Sequence, residues 1–148
     1  MPTVGARDDI TVLVHRYAEL LDGGDMEGVV AMFSRATCRS AATGTVLRTP
    51  GELRAVYSSL VPADGRPPRT RHLMHNLVIE HDDDGHDDGD GDDDATARCS
   101  YTVLEGGEPG MPVRILIVGR YEDHYHRDAE GWYLTDRVFH IDLDAAAS

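Results

Sequence analysis

Three stretches of this chain set proton-carrying side chains inside otherwise apolar patterns. They are Tyr17-Ala18-Glu19-Leu20-Leu21-Asp22, Thr70-Arg71-His72-Leu73-Met74-His75-Asn76 and Thr135-Asp136-Arg137-Val138-Phe139-His140. Imidazole exchanges protons near neutral pH, so the histidines are the first candidates for general acid–base work. Read as a strand, the second stretch turns His72, Met74 and Asn76 to one side and Leu73, His75 and Leu77 to the other. His72 and His75 therefore do not act as a pair unless a bulge intervenes. In the third stretch Arg137 and Phe139 share a face, and Asp136, Val138 and His140 share the opposite one. Asp22 ends a helical pattern, where the macrodipole disfavours negative charge, and a carboxylate there is more readily kept if it has a partner. Each residue also has an ordinary structural explanation. Tyr17 suits a core tyrosine, Asp22 a turn residue before Gly23-Gly24, and Arg137 an ion pair. Spacing alone does not bring the three stretches together.

What the chain lacks is equally informative. All 14 basic residues are arginine. Without lysine there is no Schiff-base chemistry, no lysine-bound pyridoxal phosphate and no P-loop lysine. Cys38 and Cys99 show no metal-type spacing; two reduced, buried thiols of a cytoplasmic protein are expected, with a disulfide as the alternative. The formal net charge is −13. Nine of the 27 acids lie between His81 and Asp94, which leaves 18 acids against 14 bases, or −4, for the rest. Neither part offers the basic footprint that nucleic acids attract. The acidic run matches no register of a calcium-binding EF-hand loop and reads as a disordered hairpin tip over 81–94, without a catalytic role. No apolar run is long enough to span a membrane, and the N-terminal residues lack a secretory pattern. A cytoplasmic protein with no metal and no cofactor is expected.

The elements that must position these residues follow from periodicity. Ile10, Leu13, Val14, Tyr17, Leu20 and Leu21 recur at helical spacing after a cap at Asp8 or Asp9, and Gly23 and Gly24 end the helix. Asp25 caps a second short helix carrying Met26, Val29, Val30 and Phe33. A short strand or hairpin is expected near Thr37 to Leu47. Thr49-Pro50-Gly51-Glu52 is a capping box opening a third helix with Leu53, Val56, Tyr57 and Leu60 inward. Strand-like runs cover 69–80, 95–104, 113–125 and 132–143. Helices followed by long antiparallel strands predict one α+β domain over 1–148, a cone in which a curved, mostly antiparallel sheet wraps the N-terminal helices. With 41% hydrophobic residues, a chain of 148 residues can bury one such core.

The order Ile10, Tyr17, Asp22, Asp25, Phe33, then Thr70-x-His72-(x)3-Asn76, then Gly119-Arg120-Tyr121, Tyr125 and Gly131-Trp132 resembles SnoaL-like proteins of the nuclear transport factor 2-like superfamily. The resemblance runs over roughly residues 8–143 and is nearest to the dehydratase and dehydrochlorinase branch. It implies that His72 is a general base, that Asp22 orients its ring, and that Tyr17 donates a hydrogen bond to a developing enolate or departing hydroxyl. Asn76, Arg137, His75, Phe139 and Tyr57 complete the candidate set as substrate-binding residues. The dehydrochlorinase pocket lysine has no counterpart, nor do the aspartates of the ketosteroid isomerase and epoxide hydrolase branches.

The resemblance thus implies a cofactor-independent lyase or isomerase, dehydratase-like, acting on a small, mostly apolar, ring-containing molecule. One alternative is a non-catalytic module that holds a ligand or docks a partner, since this fold is also used without catalysis. Another is a polyketide cyclase. A homodimer is expected, with Leu116 and Val118 on one strand face supplying apolar contact.

Overall fold

A computed structural model describes residues 5–81 and 93–145. Helix α1 spans Ala6–Asp22 and buries Ile10, Val14, Tyr17, Ala18, Leu20 and Leu21 along one stripe. Its N-cap is Gly5 rather than Asp8 or Asp9. Those two acids lie in the first turn, where they complement the positive end of the helix without bonding to it. The amide of Gly23 donates to the Glu19 carbonyl and closes the helix. Gly24 then turns the chain at φ 76°, and a Cβ there would meet Pro68 Cδ at 3.2 Å. Only glycine fits both the backbone angle and the proline, so the segment leading to residue 70 lies against the end of α1.

Helix α2, Met26–Met32, is capped by the Asp25 carboxylate, which accepts the Gly28 amide. Helix α3, Pro50–Ser58, begins with the expected capping box: the Glu52 amide donates to Thr49 Oγ1, and the Thr49 amide donates to Glu52 Oε2. Between these helices lie β1, Thr37–Ser40, and β2, Val46–Leu47, paired antiparallel. The long strands are β3, Thr70–His81, β4, Asp93–Glu105, β5, Arg114–Asp128, and β6, Gly131–Asp144. Their order is β2-β1-β6-β5-β4-β3, antiparallel except where β1 runs parallel to β6. His81, Asp93 and Asp94 belong to strands β3 and β4. The remainder of the acidic run, expected as a hairpin tip, lies outside the described residues.

The three helices cover one face of the sheet, and the core fills the space between them. The sheet is bent by register shifts at His75/Val78, Val103/Leu104, Val118/Gly119 and His124/Tyr125, each of which increases local twist. This gives the cone its curvature. On the inner face Tyr101 stacks on Tyr121 with ring centroids 4.2 Å apart. Gly119 lets that stack form, because a Cβ there would collide with the His140 carbonyl and the Tyr101 hydroxyl. Cys38 and Cys99 are buried and unbonded to each other. Among the described residues no helix is long and apolar enough to cross a membrane.

Candidate functional site

The last residue of α1 meets the first residues of β3. Asp22 accepts the His72 amide on Oδ2 at 2.8 Å and the His72 ring on Oδ1, with Nδ1 at 2.6 Å. Thr70 Oγ1 donates to the same Oδ1 at 3.2 Å. An ionised carboxylate only accepts hydrogen bonds, so this geometry places the proton of neutral His72 on Nδ1 and leaves Nε2 as a lone-pair acceptor. Both side chains are largely withdrawn from solvent, at 12% and 8% exposure, so the pair is weakly screened by salt.

His72 forms part of the wall of a cavity of about 260 Å³ between the end of α3 and the open end of β3, β4 and β5. The apolar wall comes from Leu21, Leu60, Pro68, Val103, Leu116 and Ile117, and the polar groups from Ser59, Thr70, His72 and Glu105. Strict alternation would turn adjacent Leu116 and Ile117 to opposite faces. The register shift between Val103 and Leu104 leaves Leu116 unpaired on β5, so both side chains reach the cavity. Leu116 is therefore not on the outward face expected from its spacing with Val118. Val118 instead falls in a row with Leu73, Thr102 and Leu143 across four strands.

The other residues singled out from the sequence are placed elsewhere. Tyr17 sits one helical turn behind Leu21, its hydroxyl 3.0 Å from that of Tyr57, and neither lines the cavity. Burial raises the pKa of both phenols, against the lowering influence of Arg137, so they stay neutral. Arg137 is 2% exposed and forms a two-bond pair with Asp123, at 2.7 and 2.8 Å. Its guanidinium carbon lies 4.0 Å from the Tyr121 ring centroid and 4.5 Å from that of Tyr17. Phe139 is half-buried against the core. His75 faces outward, with Nε2 3.0 Å from Thr102 Oγ1. Asn76 is exposed at the β3 bulge with φ 54°, so it does not follow His72 in alternation.

Glu105 is absent from the candidates read from the sequence, and Thr70 enters there only as the first residue of the His72 motif, although a signal exists for both. Counting by twos along β4 from buried Tyr101 through Val103 reaches Glu105, and Thr70 is its direct partner on β3. A larger open hollow of about 820 Å³ lies toward the far end of the strands, where His81 Nε2 is already bonded to Asp93 Oδ2 at 2.6 Å. Among the described residues no group of three or more His, Cys, Asp or Glu side chains is arranged to hold a metal ion.

The helices thus lie in a cone of curved sheet, with a small cavity at its open end and a His–Asp pair in the wall, and the cone is the nuclear transport factor 2-like fold. The chain belongs to the SnoaL-like domain family, whose model matches residues 2–138. Its fold is similar to that of Aln2 from a Streptomyces species, with a TM-score of 0.74, 24% identity, and coverage of 96% of this chain and 94% of that one. A nuclear transport factor 2-like protein with a cystatin-like fold from Novosphingobium aromaticivorans is 22% identical, at a TM-score of 0.70 and coverage of 95% and 85%. A candidate scytalone dehydratase from the same organism is 16% identical, at a TM-score of 0.67 and coverage of 93% and 84%. No curated protein matches the chain.

Proposed function

We propose that this SnoaL-like protein is a cofactor-independent lyase or isomerase of the dehydratase type. The observation that carries the reading is the 2.6 Å contact between His72 Nδ1 and Asp22 at the wall of the cavity. His72 Nε2 takes a proton from a carbon next to a carbonyl or other activating group, and Asp22 stabilises the resulting imidazolium. The electron pair of the broken C–H bond forms a C=C bond while a hydroxyl departs with the imidazolium proton as water. In an isomerisation the same proton returns to a different carbon. Either way the imidazole ends neutral. The neighbour described as a candidate scytalone dehydratase supports the dehydratase form by fold alone.

A cavity of about 260 Å³ is smaller than typical drug-sized sites of roughly 300–1,000 Å³, so it suits a one- or two-ring substrate. Tyr17 in this reading is a positioning residue that supports Leu21 and the end of α1 from behind. The test is turnover of hydroxylated one- and two-ring ketones, followed by mass spectrometry for loss of one water. His72→Ala should lower the rate by about 10²–10⁴-fold. An unchanged rate in a folded variant overturns the reading.

A second reading, a binding module without catalysis, is favoured by the seclusion of the Tyr17 hydroxyl, which leaves the cavity without that donor. Under it His72→Ala alters affinity and no product forms with any substrate. Both readings are compatible with a homodimer formed through the outer sheet face, where Leu73 and Leu143 are 44% and 66% exposed. Light scattering of the purified protein decides the oligomeric state.

A further inference from the structure

The cavity holds a second acidic group that the His72–Asp22 chemistry does not use. Glu105 lies directly across the β3–β4 ladder from Thr70, and both line the cavity with His72. Opposed residues of this kind have Cβ atoms about 4.5–5.5 Å apart. Arg114, its partner on β5, holds the carboxylate from outside: Nε and Nη2 donate to Oε1 at 3.0 and 2.7 Å. Both bonds fall on one oxygen, and among the described residues no hydrogen bond reaches Oε2. The Glu105 side chain is 35% exposed and Arg114 59%, so the arginine stands at the rim and does not line the cavity. Glu105 is therefore clamped with one acceptor oxygen left over.

Among the described residues no arginine lines the cavity, and the chain has no lysine that could reach it. A carboxylate or phosphate entering would lose its hydration and face the unbonded Oε2 of Glu105 with no arginine or lysine on the cavity wall, because Arg114 is held at the rim on Oε1, and that is a costly placement. A neutral ring bearing a hydroxyl would meet an acceptor already charged and oriented, and hydrogen bonds to charged groups are the stronger kind.

We propose that Glu105 is the specificity-determining residue of this cavity, its free Oε2 accepting a hydrogen bond from a ring hydroxyl and selecting neutral hydroxylated compounds over anionic ones. The inference rests on the cavity beside His72 being the substrate site, and not on the reaction performed there. It assigns the bound ring an orientation, with the hydroxyl toward the rim at Glu105 and the apolar edge toward Val103, Leu116 and Ile117.

The test uses three probes of nearly one shape, with affinities measured by calorimetry on the intact chain. 2-Naphthol carries a hydroxyl donor, 2-methoxynaphthalene lacks it, and 2-naphthoate is anionic. The wild-type protein should bind 2-naphthol about tenfold more tightly than 2-methoxynaphthalene, and 2-naphthoate least well. Glu105→Leu should erase the naphthol preference while keeping 2-methoxynaphthalene binding, which also shows that the variant is folded. Glu105→Gln, which keeps an acceptor and removes the charge, should admit 2-naphthoate. Equal binding of naphthol and its methyl ether by the wild type, an unchanged preference in Glu105→Leu, or no binding of any probe overturns the proposal. His72→Ala should retain the naphthol preference. Loss of the catalytic reading therefore leaves this one standing, and the converse also holds.

Discussion

Asp22 holds His72 at two points, by the ring through Nδ1 and by the backbone amide of the same residue. The helix end is thereby tied to the strand and to the imidazole through one carboxylate. A carboxylate at a helix C-terminus is electrostatically misplaced, and three donated hydrogen bonds, from Thr70 and twice from His72, offset that cost.

Asp22→Asn tests this double grip. An amide offers one acceptor oxygen where the carboxylate offers two, so one of the two His72 N–H groups must face an NH2 group. Turnover should fall by about 10²–10⁴-fold. Stability should fall by about 1–3 kcal/mol, measured by denaturant unfolding. Loss of stability with turnover intact would mean that the contact serves only to tie α1 to β3.

Tyr17→Phe separates the core from the cavity. The hydroxyl bonds to Tyr57, and both rings lie against other aromatics. Removing it should cost about 1 kcal/mol, because it leaves the Tyr57 hydroxyl without that partner. Steady-state kinetics should show turnover within a few-fold of wild type. A large drop in kcat with unchanged stability would return Tyr17 to the reacting atoms.

The Arg137–Asp123 pair is the polar centre of the core. Burial alone would weaken the arginine's hold on its proton, but the attraction and hydrogen bonds of Asp123 prevail and keep it charged. The Tyr125 hydroxyl also donates to Asp123 Oδ2, at 3.1 Å. Arg137→Met should destabilise the fold by about 3–5 kcal/mol by stranding a buried carboxylate, as read from the thermal midpoint. The double variant Arg137→Met, Asp123→Leu should recover much of that loss. Equal destabilisation of the single and double variants would show that the aromatic cage around the guanidinium, and not the charge pair, matters.

Cys38 and Cys99 provide a pH test. Burial pushes both thiols up to about 11, Asp123 adding to the rise and Arg137 opposing it. Thiolate, the reactive form, is therefore scarce in the folded protein at pH 8. A disulfide-exchange reagent should label both residues only as fast as the protein opens. The same shift means that their contribution to stability is complete below the ordinary thiol pKa and is lost as pH rises toward about 11. Rapid labelling of native protein at pH 8 would contradict this.

Local chemistry wrote most of the architecture. The capping box at Thr49, the Asp25 cap and the Gly23-Gly24 stop each act over a few residues, and each is found where the pattern placed it. The alternating runs mark the four long strands, but their alternation breaks at the bulges, and Val56 and Leu60, expected inward on α3, are exposed. The charge balance, the absence of lysine and the order of family motifs are likewise properties of the chain itself. The first helix cap was misread because Asp8 and Asp9 suit an N-cap equally as types, whereas the choice depends on where the backbone enters the helix.

The fold alone decided what surrounds His72. Asp22 and His72 stand 2.6 Å apart because Gly24 and Pro68 bring the end of α1 against the start of β3, a long-range packing event that no local propensity encodes. Bulges moved Asn76 out of line and turned Leu116 into the cavity. A strand's period of two specifies faces only while register holds, and register is set by how all the strands pair and bend together.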